Sequence, residues 1–506
     1  MKKITFLLLF VTTLLNAQHT SIVPIASLDN EVIQDSVIEK LQIERSFFKE
    51  KWLGRVLVNE HLLDIKKDAY RITLDPILHV RYGKDSRLPD SSLYINTRGF
   101  RLKGRIGKTF AFYSDFRENQ AYFPAYQIDK IANIRTIPSG LGVPKRYGNN
   151  AYDFAVARGF IEYQPNKVFN FKWGNGSNFI GDGYRSLLLS DNNFPYPSLR
   201  ITATLWKLKY WVLYTKMLDI NSTYSNGTYV SKYVTSHYLN WDISDKISGG
   251  IFETVVYADT LGTRGYDVNY LNPVIFYRPI EFSLGSSGGN VLLGGNIKWK
   301  ITPKITTYGQ ILLDEFNYKQ LTQKEGWWAN KFAFQLGLKS QNLGIDGLFL
   351  QTEMNLVRPY TYSYGFPAQN YGHYNEPLAH PLGSNFLESV SKVKYQKERF
   401  VFETEFLFYT QGKDTLNSNW GTNIYKSYRD REQDYGNKLF QGIKSKTVYW
   451  NTEVGYIINP AYDFRFELGY TYRKFTPENE TVLKSTQTNY FYFGLNTKMW
   501  RVYEDY

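Results

Sequence analysis

Cysteine is absent from this 506-residue chain. That excludes disulfides, thiolate metal sites, a cysteine nucleophile and a lipidated cysteine anchor. Histidine numbers only 6, a thin supply for metal chemistry. Long apolar runs are missing as well. After Gln18 none exceeds Tyr210–Tyr214, whereas a helix that crosses a bilayer needs about 20 apolar residues. A mean hydropathy of −0.40 also argues against a helical membrane bundle. No GxxxxGK[ST], HExxH or cysteine cluster occurs. No cofactor and no metal is expected. What the chain does have is aromatic residues: 42 Tyr, 34 Phe and 11 Trp, 17% of the total. These types favour pleated surfaces. With 43% apolar residues the chain is too apolar to be disordered.

Met1–Gln18 reads MKKITFLLLFVTTLLNAQ. Lys2 and Lys3 form a basic start, Ile4 to Leu15 an apolar stretch, and Ala17 a small residue before a cut ahead of Gln18. A stretch of about 12 apolar residues is too short to span a bilayer, so residues 1–17 are expected to be a cleaved signal. Losing Lys2 and Lys3 lowers the formal net charge from +13 by two, to +11. Residues 18–67 differ in pattern from the remainder of the chain. Val32, Ile33, Val37, Ile38 and Leu41 fit a helical stripe, with Asp29 or Asn30 as N-cap. Phe47, Phe48, Trp52 and Leu53 add apolar mass. The segment is expected to be helical; a partly unstructured leader is the alternative.

From residue 68 onward the pattern has a period of two. In Asp463–Arg473, Phe464, Phe466, Leu468, Tyr470 and Tyr472 fall on one face, and Arg465, Glu467 and Arg473 on the other. Phe400, Phe402, Phe406 and Phe408 likewise oppose Glu403 and Glu405. A soluble sandwich also alternates. Here the segments run about 9–14 residues, the reach of a tilted membrane strand. The second face carries ionisable groups that a dry sandwich core would not hold. The connections alternate between tight ones, such as Thr302-Pro303 and Asn459-Pro460, and long ones, such as 119–151, 175–197, 259–288, 358–385 and 412–444. This is the signature of a transmembrane outer-membrane antiparallel β-barrel of about 18 strands over 68–506, with 16 left open. An even count puts both termini on the periplasmic side. Interleaved Glu353, Glu403, Glu405, Glu453 and Glu467 against Lys298, Lys331, Lys339, Arg465 and Arg473 favour a closed lumen over an open pore.

Chemistry-bearing residues are few. Gly285-Ser286-Ser287-Gly288-Gly289 matches G-x-S-x-G, but a loop precedes it and a strand comes after it, so it reads as a flexible loop rather than a nucleophile elbow. His373 and His380 lie in a long loop with no nameable Ser or Asp partner. Asp182, Asp191, Asp314 and Glu315 are candidate carboxylates. Asp314-Glu315 could hold Ca²⁺, but such pairs more often meet solvent or a cation. Aromatic and basic loop residues point instead to sugar binding, since flat rings pack on sugar C–H faces and Arg pairs with uronate or phosphate. The candidate glycan-binding residues are Trp327, Trp328, Tyr184, Arg185, Arg278 and Asp182. The competing reading of the aromatics is an interfacial girdle.

One stretch carries a family resemblance. Gly183-Tyr184-Arg185-Ser186-Leu187-Leu188-Leu189-Ser190-Asp191-Asn192-Asn193-Phe194-Pro195-Tyr196-Pro197 resembles the glycine–Ser-Leu-Leu-Leu-Ser-Asp-Asn…Pro-x-Pro motif of the Wzi capsule-assembly family. Asn272-Pro273 through Arg278-Pro279-Ile280-Glu281 looks like that family's Asn-Pro…Arg-Pro-x-Glu block. Asn296 and Leu313-Asp314-Glu315 come next in order. The nearest relatives in style are the gliding-motility proteins called RemB. A Trp-Gly-Pro associated with the motif is absent, and Ile180-Gly181-Asp182-Gly183 stands in its place. The resemblance covers residues 175–320 and implies a lectin-like outer-membrane barrel that retains exopolysaccharide or capsule, in the service of motility or adhesion, and not an enzyme. Expected partners are surface polysaccharide, outer-membrane lipid and lipopolysaccharide, and the barrel-assembly machinery, with no nucleic acid, for a monomer. A saccharide or solute diffusion channel and an outer-membrane hydrolase are the two alternative functions.

Overall fold

The computed structural model describes residues 41–506 apart from 149, 275, 285–287 and 416. The signal, the helical stripe up to Ile38 and Ser287 therefore lie outside the described residues. Eighteen antiparallel strands close into one barrel. In chain order they are β1 Tyr70–Asp85, β2 Leu93–Ile106, β3 Phe110–Tyr122, β4 Ala151–Tyr163, β5 Phe169–Gly176 and β6 Tyr196–Leu205. Next come β7 Leu208–Thr223, β8 Tyr229–Trp241, β9 Ile247–Asp259, β10 Asn290–Thr302, β11 Ile305–Glu315 and β12 Lys331–Gln341. The last are β13 Leu348–Val357, β14 Phe386–Lys397, β15 Phe400–Lys413, β16 Ile443–Asn459, β17 Phe464–Pro477 and β18 Thr486–Thr497. Each pairs with its sequence neighbour, and β18 closes on β1 from His79↔Asn496 to Asp85↔Tyr490. Closure leaves no unpaired strand edge, which the bilayer interior would penalise. Every strand expected from alternation is present, displaced at its ends by a few residues. Among the described residues no helix is long and apolar enough to cross a membrane.

The faces are inverted relative to a soluble protein. On β17, Leu468 is 58% exposed while Glu467 next to it is 0% exposed. Phe400, Phe402, Phe406 and Phe408 on β15 are all exposed. An apolar exterior around a charged interior is stable only when hydrocarbon surrounds the wall.

Tight turns gather at one end of the barrel and long loops at the other. At the short-turn end, helices Ser46–Glu50 and Trp52–Val58 dock on the turns. Arg399 donates to the Val58 carbonyl at 3.1 Å and the Asn59 side chain at 3.1 Å. Asn459 donates to the carbonyls of Val56 and Glu60 at 2.8 and 2.9 Å. The segment expected to be helical through residue 67 instead ends in a strand, Leu63–Lys67, which pairs antiparallel with β1. There Arg71 binds Asp64 at 3.0 Å, so a cross-strand ion pair replaces a helical turn.

The lumen is filled. Segment 177–195 folds inward, and Leu187, Leu188 and Leu189 are buried against wall residues Leu292, Leu312, Ala333 and Leu407. Residues 498–506 leave β18 and run inside the barrel, where Tyr503 and Tyr506 join the same core. The last strand stops at Thr497, and the tail becomes part of the plug.

Candidate functional site

Wall side chains hold the plug by its backbone. The Glu353 carboxylate accepts the amides of Tyr184 and Arg185 at 2.7 and 2.9 Å. Gln310 accepts the Leu187 amide at 2.7 Å and donates to the Ile180 carbonyl at 2.9 Å. Tyr362 and Tyr371, from the inward-folded 358–385 loop, donate to the carbonyls of Leu187 and Leu188, each at 2.8 Å. Gly181 (φ 128°) lies so close to the wall that a Cβ would fall 2.1 Å from Gln310 Nε2. The glycines of the motif thus permit a close approach of plug to wall. Ser-Leu-Leu-Leu-Ser is the apolar heart of that plug.

The sequence-predicted site residues separate into three places. Tyr184 and Arg185 are buried in the plug, away from any outer surface. Arg185 donates to Asp505 at 2.8 Å and to Glu388 at 3.3 Å. Burial alone would lower its pKa, but Asp505 and Glu388 outweigh that and raise it above the ordinary arginine value. Asp182 is also luminal and faces Lys298 at 3.6 Å and Lys339 at 3.5 Å. Arg278 lies in the 260–289 loop, paired with Glu281 at 2.5 Å. Trp327 and Trp328 stand at the long-loop end, where loops 316–330 and 414–442 are joined: the Trp328 amide donates to the Asp434 carbonyl at 2.9 Å. Trp328 is buried between the Tyr428 ring at 4.8 Å and the Arg431 guanidinium at 4.3 Å. It anchors the two loops to each other. Trp327 is partly exposed and lies tilted beside exposed Tyr435 at 4.9 Å, so these two rings offer an open face.

The remaining candidates resolve into structural roles. Asp314 and Glu315 both face Lys331, at 3.0 and 3.2 Å, which fills the place of a cation. No group of three metal-ligating side chains forms among the described residues. His373 Nδ1 accepts the Leu218 amide at 3.0 Å inside the protein. His380 donates from Nε2 to Glu388 at 2.6 Å, and its Nδ1 accepts the Leu382 amide at 3.2 Å. With both ring nitrogens engaged, His380 has none left to activate a hydroxyl.

Above the plug, at the long-loop end, lies a cavity of about 990 Å³ that the sequence did not reveal. Its cations are Lys130, Arg135, Lys413, Lys426, Arg473 and Lys484; its carboxylates are only Asp129, Glu376 and Asp414. Helix Ala125–Ile134 supplies Lys130, inserted between β3 and β4. None of the six cations forms an ion pair with an Asp or Glu side chain among the described residues. Lys426 bonds the carbonyls of Thr415 and Ser418 at 3.0 and 2.6 Å, and Arg473 the main-chain oxygen of Tyr506, the last residue, at 3.2 Å. Asp129 is taken by Arg87 at 2.7 Å. Glu376 accepts the Gly140 amide at 3.1 Å, and burial pushes its pKa up to about 8. Amides of Asn133, Asn192, Asn375 and Asn417 and the rings of Tyr425 and Phe475 complete the lining. The Tyr425 hydroxyl is buried with no hydrogen-bond partner among the described residues. Beneath the plug a smaller cavity of about 270 Å³ remains, lined by Arg81, Glu403, Glu453 and Lys498, whose charges are paired.

The fold is therefore that of a closed, plugged, 18-strand outer-membrane β-barrel with a basic cavity at its long-loop mouth. Among solved structures it is similar to Wzi of Escherichia coli, an outer-membrane protein involved in group 1 capsule assembly and a carbohydrate-binding β-barrel. That likeness has a TM-score of 0.51 at 12% identity, over 83% of this chain and 84% of that one. It is also similar to OprD of Pseudomonas aeruginosa (TM-score 0.44, 12% identity, 84% and 94% covered) and to OpdK of the same organism (0.45, 8%, 85% and 98%). No family model matches the chain, and no curated protein matches it by sequence.

Proposed function

We propose that this barrel retains an acidic surface polysaccharide at its long-loop mouth, with the strand turns and both chain ends entering from the periplasm. The observation that carries the reading is the set of five cations around one cavity, Lys130, Arg135, Lys413, Lys426 and Lys484, without an Asp or Glu partner among the described residues. Elsewhere in the barrel many buried charges are paired at short range, as in Arg185–Asp505 and Lys331–Asp314. Unpaired cations facing a common volume leave a field that favours a polyanion. Uronate or phosphate groups would pair with Lys130, Arg135 and Lys426, sugar hydroxyls with the asparagine amides, and ring faces with Phe475. Trp327 and Tyr435 extend the contact along the rim. The cavity's size falls at the upper end of small-ligand sites, enough for a few sugar units of a longer chain. The carbohydrate binding of Wzi, which shares the fold, is consistent with this role. Support of gliding or adhesion would be a use of the same retention.

The filled lumen disfavours the diffusion-channel alternative, and His380, with both ring nitrogens engaged, offers no base to the hydrolase alternative. The test is binding of purified barrel to polygalacturonic acid and to neutral dextran at low and high salt. Wild type binds the polyuronate and not the dextran. Lys130→Gln and Lys426→Gln each weaken binding by up to about 1 kcal/mol at low salt, and the difference shrinks as salt screens the charges. Failure to bind the polyuronate, or undiminished binding by both variants, overturns the proposal.

A further inference from the structure

The described part of the 260–289 loop from Tyr270 to Leu284 does not stand above the barrel; it packs against the outer wall. Alternate residues of a strand face opposite sides. On β9, Phe252 and Val256 belong to the luminal core, so Glu253, Val255 and Tyr257 point outward. On β8, Val234 and Tyr238 are luminal, so Tyr233 and His237 point outward. These outward groups are nevertheless buried, because Tyr270 and Tyr277 of the loop pack over them together with Val291 of β10. Tyr270 stacks on Tyr257 at 5.0 Å, and Tyr277 covers His237 at 4.4 Å.

Glu253 is the central residue of β9, which runs from Ile247 to Asp259, so the loop descends to about the middle of the wall. Irregular backbone at that depth is tolerated only if its polar groups are satisfied by protein. Here several are satisfied by wall and loop side chains. Glu253 accepts the amide of Tyr277 at 3.0 Å and that of Arg278 at 3.3 Å. The Tyr214 hydroxyl donates to the Leu271 carbonyl at 2.6 Å, and the Tyr210 hydroxyl donates to the Pro273 carbonyl. The Tyr277 hydroxyl serves the carbonyls of Tyr270 and Asn272, each at 3.0 Å. The outer side of the loop is the reverse: Val274 is 81% exposed and Phe276 62% exposed, with Val268 and Leu271 beside them. This apolar surface continues the exposed wall band of Trp241, Ile251, Ile297 and Trp299.

We propose that residues 268–274 and 276–284 form a lipid-facing flap, packed on the barrel wall on one side and with the Val274 and Phe276 side chains contacting the acyl chains of the outer-membrane bilayer on the other. The flap replaces lipid over the polar outward residues His237 and Glu253, which hydrocarbon would not accept bare. Backbone hydrogen bonding on the inner side and continuity with the lipid band on the outer side favour lipid over a second protein as its neighbour.

The proposal is independent of glycan binding but rests on the membrane reading of the barrel, and one control separates the two. The chain has no native cysteine, so single cysteines can be placed without background. Val274→Cys, Phe276→Cys, the wall control Ile297→Cys and the loop control Asn479→Cys are labelled with a fluorophore in phosphatidylcholine vesicles carrying brominated acyl chains. Quenching at 274 and 276 is expected to match that at 297. Their reaction with a charged, water-soluble thiol reagent is expected to be at least about tenfold slower than at 479. No quenching at 274 and 276, with rapid reaction there and normal quenching at 297, overturns the flap alone. Protection at 274 without quenching, accompanied by cysteine cross-linking between copies, also overturns it and assigns the surface to a second copy. Absence of quenching at 297 overturns the membrane reading and the flap with it.

Discussion

Arg185 ties three parts of the molecule together, and removing it should undock the tail. Its guanidinium is 1% exposed and bonds Asp505 of the tail and Glu388 of β14, with the rings of Tyr184 and Tyr503 at 4.8 and 5.3 Å. Burial would push the Asp505 carboxyl up, but Arg185 outweighs it and holds the group below the usual carboxylate range. Arg185→Ala removes the nearest cation from buried Asp505 and leaves only the more distant Lys392 to offset its charge, while Glu388 keeps His380 at 2.6 Å. Breaking one partner out of a buried pair costs about 3–5 kcal/mol. At 1.4 kcal/mol per tenfold, that shifts the docked-to-undocked ratio of the tail by a factor of roughly a hundred to a few thousand. The barrel strands do not depend on this bond, so the loss is local. The assay is the reaction rate of a single cysteine at Val502, which lines the cavity beneath the plug, with a charged thiol reagent. Arg185→Ala should accelerate it by about the factor above, and Arg185→Met combined with Asp505→Asn should recover much of the protection, because no bare charge remains. An acceleration below about threefold, or a double variant as reactive as Arg185→Ala, would refute the account of the plug.

The same geometry sets three further outcomes. Burial and neighbouring Lys413 pull Lys130 down to about 8, and burial pushes Glu376 up to about 8. As pH rises through about 8 the cavity therefore loses a positive charge and gains a negative one. Polygalacturonate binding should fall over that range, with a shallower fall in Glu376→Gln. The stability linked to Glu376, whose folded pKa lies above its ordinary 4.5, should decline from pH 4.5 to about 8 in a melting series. Truncating the two tryptophans should have unequal effects: Trp328→Ala loses about 3–5 kcal/mol of local loop stability, while Trp327→Ala leaves stability alone and weakens polysaccharide binding by about 1 kcal/mol, independent of salt. Proteolysis that shows Trp328→Ala loops as resistant as wild type would contradict the anchor role. Finally, the protein should give no large steady conductance in planar bilayers and should hydrolyse no phospholipid; an open-pore signal would favour the channel, and hydrolysis abolished by Ser287→Ala would favour an enzyme.

The strands were legible in the sequence because the barrel wall is a local pattern. Alternation in segments such as Asp463–Arg473 sets which side chain faces lipid, and turn chemistry at Thr302-Pro303 or Asn459-Pro460 ends each pair. The glycine and leucine stretch at 181–189 was visible as a motif, but not as a plug: its contacts with Gln310, Gln335 and Glu353 join positions more than a hundred residues apart. For that reason Tyr184 and Arg185, reasonable sugar-binding residues on a loop, are instead held by the wall and by Asp505. The tail after Thr497 could have been suspected from Trp500, Tyr503 and Tyr506 lying beyond the last alternating strand, yet nothing local says that it turns into the lumen. The basic cavity escaped notice for the same reason, since Lys130, Lys413, Lys426 and Arg473 come from four separate segments and share no spacing. Local periodicity determined the wall of this protein, because pleating is a property of neighbours in sequence. Apolar packing, hydrogen bonding and charge pairing across the lumen determined what lies inside it, because which side chain finds which partner depends on distances that closure of the barrel creates.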